Sequence, residues 1–160
     1  MGVASAVICA KAGANVTLVG RSLEKAEKIA GICNDRYDSK NVKGGADADK
    51  SDFFNVADIV LNTGAAGIQL MSEEHIKNSN TLKICADTNA VPPSGIAGVD
   101  VMDNGKVIDM SPGKCLGIGA LAIGNIKYRS QHECLKLMYT SEKPVYLDFE
   151  DAFKFAQKSV

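Results

Sequence analysis

Apolar residues arrive along this chain in short runs set between stretches of helical period. Met1 to Lys11 is rich in alanine and small apolar side chains and reads as a helix that Gly13 stops; Val16 to Val19 follows as a short β-branched strand. Ser22 stands where it can cap the next helix, whose apolar positions Leu23, Ala26, Ile29, Ala30 and Cys33 recur with helical spacing. Asn41 to Ala46 is a weak strand, Asp47 to Asn55 a short polar helix, and Ala57 to Asn62 a clear apolar strand that breaks into small residues. Ser72 opens a short helix with Glu73 and Glu74 in its first turn, where acids suit the helix dipole, and Leu82 to Ala86 is a further apolar strand. Short continuous apolar strands separated by helices predict a parallel sheet covered on both faces, a doubly wound α/β domain.

Beyond that point the pattern loosens. Ala90 to Pro112 is rich in Pro and Gly and reads as loops over the sheet, with a short hairpin around Asn104-Gly105. The run from Cys115 begins rich in glycine and becomes a helix toward Thr140. A last helix starts after Asp148, a suitable N-cap, with Phe149, Ala152, Phe153 and Ala156 on one face. There is no internal repeat and no low-complexity linker.

Composition narrows the function. A chain of 160 residues with formal net charge −1 is the size of one globular unit, and it has no long basic or acidic block. That removes the electrostatic reason to expect nucleic acid or an anionic membrane as partner and leaves small molecules. The five cysteines, Cys9, Cys33, Cys85, Cys115 and Cys134, are far apart and show neither a CxxC pair nor zinc-ligand spacing. They read as reduced, mostly buried thiols of a cytoplasmic protein without a metal site. The opening "MGVASAVICAKAGA" lacks the basic start of a signal peptide, Gly2 lacks the Ser or Thr that a myristoylation signal wants at Ala6, and no apolar run reaches transmembrane length.

The candidate chemistry lies at strand ends. A doubly wound nucleotide domain normally starts with a strand leading into G-x-G-x-x-G and a helix, the glycines letting backbone amides approach a pyrophosphate. Here the helix comes first, and Gly2 stands where the last of those glycines would be. The expectation is therefore a domain lacking its first strand and first two glycines, against the simpler reading of Gly2 as a small residue after the initiator. Arg21, at the end of the second strand of such a fold, stands where an acid would bond the ribose hydroxyls of NAD. A guanidinium there pairs with a 2′-phosphate and predicts NADP, with Ser22 as a hydrogen-bond donor and Lys25 one turn along the helix. The competing reading of Arg21 and Lys25 is solvated surface charge. "NTGAAG", Asn62 to Gly67, lies at the carboxyl end of an apolar strand, where such sheets place ligands; it reads as a nucleotide-facing turn or a plain tight turn. "ADTNAVPP", Ala86 to Pro93, occupies the same place after the next strand, where Asp87 and Asn89 either orient the nicotinamide or satisfy turn amides.

Taken together, "VGRSLEKA", "NTGAAGIQLMSE", "ADTNAVPPSGIAGVD" and "GIGALAIGNIKYRSQHECL" resemble the C-terminal NADP-binding domain of the methylene-tetrahydromethanopterin dehydrogenase family, some of whose members serve tetrahydrofolate. The similarity covers nearly the whole chain. It implies a Rossmann-like domain and a separate N-terminal domain, absent here, forming the other wall of the pterin cleft. It also implies that Gly2 matches the last glycine of the phosphate loop, Arg21 and Ser22 the adenosine-phosphate site, and Thr63, Gly64 and Ala65 the nucleotide-facing turn. Lys127 matches a lysine near the cleft that bonds the pterin or a cofactor phosphate, although locally it reads as a surface lysine at a helix start. His75 and His132 read as ordinary helix residues. The activity implied is reversible hydride transfer between a methylene pterin and NADP, which requires positioning rather than an acid–base pair. No catalytic residue stands out. Two alternatives stay open: the cofactor domain of another NADP oxidoreductase, such as a shikimate-dehydrogenase-like enzyme, and a truncated module that binds nucleotide weakly or not at all and catalyses nothing, its sheet open to completion by a homologous partner or an N-terminal segment.

Overall fold

Close approach of helix to strand organises the first half of the molecule. The computed structural model describes residues 1–158. Helix α1, Gly2–Lys11, leads into β1, Val16–Gly20; α2, Leu23–Tyr37, then returns the chain to β2, Val42–Ala46, which pairs in parallel with β1. Ala26, Ala30 and Cys33 form the buried stripe of α2, as its helical spacing requires. Its backbone lies so close to β2 that a Cβ on Gly44 would stand 2.4 Å from the Glu27 nitrogen, so a larger residue at 44 would push the helix off the sheet. On the opposite face the Phe53 ring lies over Gly45, so β2 is covered from both sides. Phe53 belongs to α3, Lys50–Val56, which follows a single 3-10 turn at Asp47–Asp49.

A second sheet holds the other strands. Its order is β3–β4–β6–β5, with β3 at Ile59–Asn62, β4 at Ile84–Asp87, β5 at Asn104–Val107 and β6 at Leu116–Ile118. The first three run parallel and β5 is antiparallel to β6. The connecting helix α4, Glu73–Asn78, carries a capping box in which Ser72 accepts from the His75 backbone and the His75 ring accepts from Ser72 N. Helices α5, Ala120–Thr140, and α6, Phe149–Gln157, pack on each other.

The mixed α/β architecture with parallel strands is the expected one, but two details differ from the sequence reading. The strands form two hydrogen-bonded sets instead of one, with β1 and β3 each paired on one side only. The hairpin turn is not at Asn104-Gly105; those residues open β5, where Gly105 at φ 81° sits at a register shift, and the connection to β6 runs through 108–115. The glycine-rich start of the Cys115 run hides a strand because β6 is short and packs mainly through its neighbours.

Two cores result. One joins α1, α2 and β2 around Val7, Ala30, Cys33 and Val42, with Phe149 of α6 against it. The other gathers Met71, Ile76, Leu82, Cys85, Ile96 and Cys115 beneath β3, β4 and β6. Among the described residues no helix is long and apolar enough to cross a membrane.

Candidate functional site

The carboxyl ends of β1, β3 and β4 carry the residues singled out above. Ser22 caps α2 through a long 3.5 Å bond from the Lys25 backbone nitrogen. Beside it Leu18, Ala26 and Ile29 give an apolar floor, and Gly20, Arg21, Ser22 and Lys25 the rim, of an open depression of about 510 Å³. Arg21 and Lys25 are exposed, and among the described residues neither takes part in an ion pair. Two cations without an ion-pair partner on the edge of an apolar shelf suit a flat, anionic ligand.

Helix α1 joins this place to the end of β3. It packs on β1, and its first residue, Gly2, is so close to the next strand end that a Cβ there would lie 3.3 Å from Thr63 Oγ1. The N-cap residue, Met1, supplies no side-chain hydrogen bond to the first turn of α1. Its amides and the Thr63 hydroxyl therefore offer donors side by side, the arrangement that suits a phosphate.

Behind Thr63 lies a buried polar network. Asn62 and Asp87, 4 % and 2 % exposed, end β3 and β4 directly opposite each other. Asn62 Nδ2 donates to Asp87 Oδ1 at 2.7 Å, and Gly64 N donates to Asn62 Oδ1 at 2.9 Å. The other donors to the Asp87 carboxylate are the amides of Asn89, at 2.9 Å, and Ile96, at 3.0 Å. Asn89 in turn accepts from Gly67 N and Val91 N and donates to the Pro93 carbonyl. The backbone adds Leu70 N and Met71 N donating to Gly95 O, and Ala97 N donating to Met71 O.

The sequence-selected residues thus divide. Gly2 and Thr63 meet, Gly64 and Ala65 continue the same turn, and Arg21, Ser22 and Lys25 form one rim. Asn89 is buried, and its side chain accepts from Gly67 N and Val91 N and donates to the Pro93 carbonyl. Lys127 lies in the second turn of α5 rather than at its start, exposed, with no hydrogen bond or ion pair to the other site residues among those described. His75 is a cap residue that also approaches Ser51 Oγ, and His132 is exposed beside Glu133. Asn62 opens the "NTGAAG" run and Gly95 lies within "ADTNAVPPSGIAGVD", and the two strand ends share a readable signature, "LNT" beside "ADT", that marks the pairing of Asn62 with Asp87.

The nearby thiols are unsuited to nucleophilic work. Burial pushes Cys85 far up, with the adjoining Cys115 and then Asp87 adding to the shift, and burial also raises Cys115. Among the described residues no group of three or more His, Cys, Asp or Glu could hold a metal ion. The arrangement can bind and orient an anionic ligand; it offers no proton-transfer pair.

No protein-family model matches the chain. Among curated proteins, the chain is 39% identical over 155 residues, 95% of its length, to the NAD(P)-dependent methylenetetrahydromethanopterin dehydrogenase of Methylorubrum extorquens. The similarity is to one part of that dehydrogenase. A second protein of that organism, named Bifunctional protein MdtA, is 34% identical over 149 residues. The chain spans about half the length of these curated relatives, 52% of the first and 50% of the second.

Proposed function

We propose that this chain is the NADP-binding unit of a cytoplasmic methylene-tetrahydromethanopterin or methylene-tetrahydrofolate dehydrogenase. The carrying observation is the pair of unneutralised cations, Arg21 and Lys25, on the apolar shelf at the end of β1, in a homologue of an NAD(P)-dependent enzyme. The residues present fit a dinucleotide: Gly2 leaves the room against Thr63 that a side chain would fill, and the shelf of Leu18 and Ile29 suits an adenine ring. In this reading Arg21, Ser22 and Lys25 hold the 2′-phosphate. The first turn of α1 and Thr63 face the pyrophosphate, and the turn through Gly64 and Ala65 borders the nicotinamide half.

The nucleotide held by Arg21, Ser22, Lys25 and Thr63 would supply a nicotinamide C4 able to take up a hydride from a one-carbon methylene group between two nitrogens, whose lone pairs would stabilise the positive charge left on that carbon. No proton moves, so the chain's task is to hold the two carbons in register and keep water out. Lys127 belongs to the pterin side in this reading. The unpaired sides of β1 and β3 expose Val19, Ile59 and Leu61, and a strand from the remainder of a longer chain or from a homologous partner covers them. This supports a unit that works within a larger enzyme, whose other domain completes the pterin cleft.

Arg21→Ala tests the cofactor assignment. Losing a charge-assisted hydrogen bond of about 1.5–3 kcal/mol should weaken NADP binding roughly 10- to 100-fold and leave NAD binding nearly unchanged. Equal losses for the two cofactors would show that Arg21 does not read the phosphate.

A further inference from the structure

The Asp87 carboxylate is buried, enters no ion pair among the described residues, and accepts from three N–H donors on separate segments: Asn62 at the end of β3, Asn89 just after β4, and Ile96. Each donor belongs to a chain of further bonds. Asn62 orders Gly64; Asn89 orders Gly67 and Val91; Ile96 pairs with Met71 across an isolated parallel bridge. Only an acceptor on both oxygens meets all three donors. An asparagine at 87 would turn an N–H toward at least one of them, leaving a buried donor unpaired.

We propose that Asp87 is a positioning residue: its carboxylate locks the turn 63–71 to the loop 88–97, so that both form one rigid wall on the nicotinamide side of the nucleotide. This rests on the proposed NADP reading for the wall's role, while the locking itself stands on the hydrogen bonds alone. Two features make the lock specific. Gly67 N and Val91 N reach Asp87 only through Asn89, and Gly64 N only through Asn62, so amides that never touch the carboxylate depend on it. The Arg21 rim shares no hydrogen bond with this network among the described residues, so the 2′-phosphate subsite is independent of it.

Asp87→Asn in the 160-residue chain separates the claims. Amide hydrogen exchange without ligand should show Gly64, Gly67 and Val91 losing protection together with Asn89 and Ile96, each about tenfold or more, while α2 is unchanged. Calorimetry should show NADP binding weakened by a similar factor and adenosine 2′-monophosphate, which fills the Arg21 side only, binding as in the wild type. Faster exchange confined to Asn89 and Ile96 would overturn the lock and leave Asp87 a local turn residue. Equal losses for the two ligands would overturn its positioning role. A wild-type chain that binds neither ligand would overturn the NADP reading and the wall's role with it, while exchange still decides the lock. If Asp87→Asn does not fold, Asn62→Ala carries the test: it cuts the link from Asp87 to the turn, so NADP binding should weaken about tenfold while adenosine 2′-monophosphate binds as in the wild type, and unchanged NADP binding would overturn the positioning role.

Discussion

Replacing Gly95 by alanine attacks the network from the backbone. A Cβ at this position would lie 1.7 Å from Asn62 Nδ2, 2.9 Å from Asp87 Oδ1 and 3.0 Å from Asn62 Cγ, so something must move. Asn62 is buried and held at both ends of its carboxamide, at 2.7 Å to Asp87 and 2.9 Å from Gly64 N. Rotating it away sacrifices both bonds inside the protein, and each buried group left unpaired costs about 1–3 kcal/mol. Shifting residue 95 instead gives up the bonds that Leu70 N and Met71 N make to its carbonyl, with the same order of cost. Either route predicts a loss of about 2–5 kcal/mol, a large share of the 5–15 kcal/mol that holds an ordinary domain together. In urea unfolding followed by circular dichroism the midpoint should fall by roughly 1 M or more at an unchanged slope. Gly31→Ala is the control: it lies inside α2, where an added Cβ meets nothing within 4 Å, and should raise stability by about 0.5–1 kcal/mol. A Gly95→Ala midpoint within experimental error of the wild type would refute the tight packing of the two loops on Asn62.

Thiol and pH behaviour give further checks. Burial raises Cys9, Cys33, Cys85 and Cys115, so at pH 8 a thiol reagent should modify at most Cys134 and Cys9 in the native chain and all five cysteines after unfolding in urea; rapid native modification of Cys85 would contradict the core described here. The Lys154 side chain, then the Asp148 backbone N–H, hold the Asp151 carboxyl below its ordinary 3.8. A lowered value means that the cap of α6 contributes fully above the ordinary range and is lost as pH falls through the shifted one, so NMR titration of Asp151 should give a midpoint below 3.8. A midpoint above it would refute the Asp148–Asp151–Lys154 arrangement.

Much of this molecule can be read from local pattern, and the exceptions share a cause. Helix α2 is legible because Ser22 caps it and its apolar residues recur at helical spacing, and β4 because it is a continuous buried run. Strand β6 is three residues with Gly117 at its centre and Gly119 after it, so its extended form comes from pairing with β4 and β5, which no local pattern records. Likewise the Arg21 rim follows from one strand and one turn, whereas the Asn62–Asp87 pair depends on the register of β3 against β4. Asn89 shows the limit most directly: its polarity and place in a loop fit a ligand contact and a turn bond equally well, and only the positions of Gly67, Val91 and Pro93 show the three hydrogen bonds that its side chain makes.

Calorimetric titration of the chain with NADP and with NAD, beside a thermal melt, tests the central claim most directly. The account predicts a cooperative melt, saturable NADP binding, and NAD binding weaker by roughly tenfold or more, the difference a phosphate held by Arg21 and Lys25 should make. Equal affinity for the two, or no binding by a chain that melts cooperatively, would contradict it.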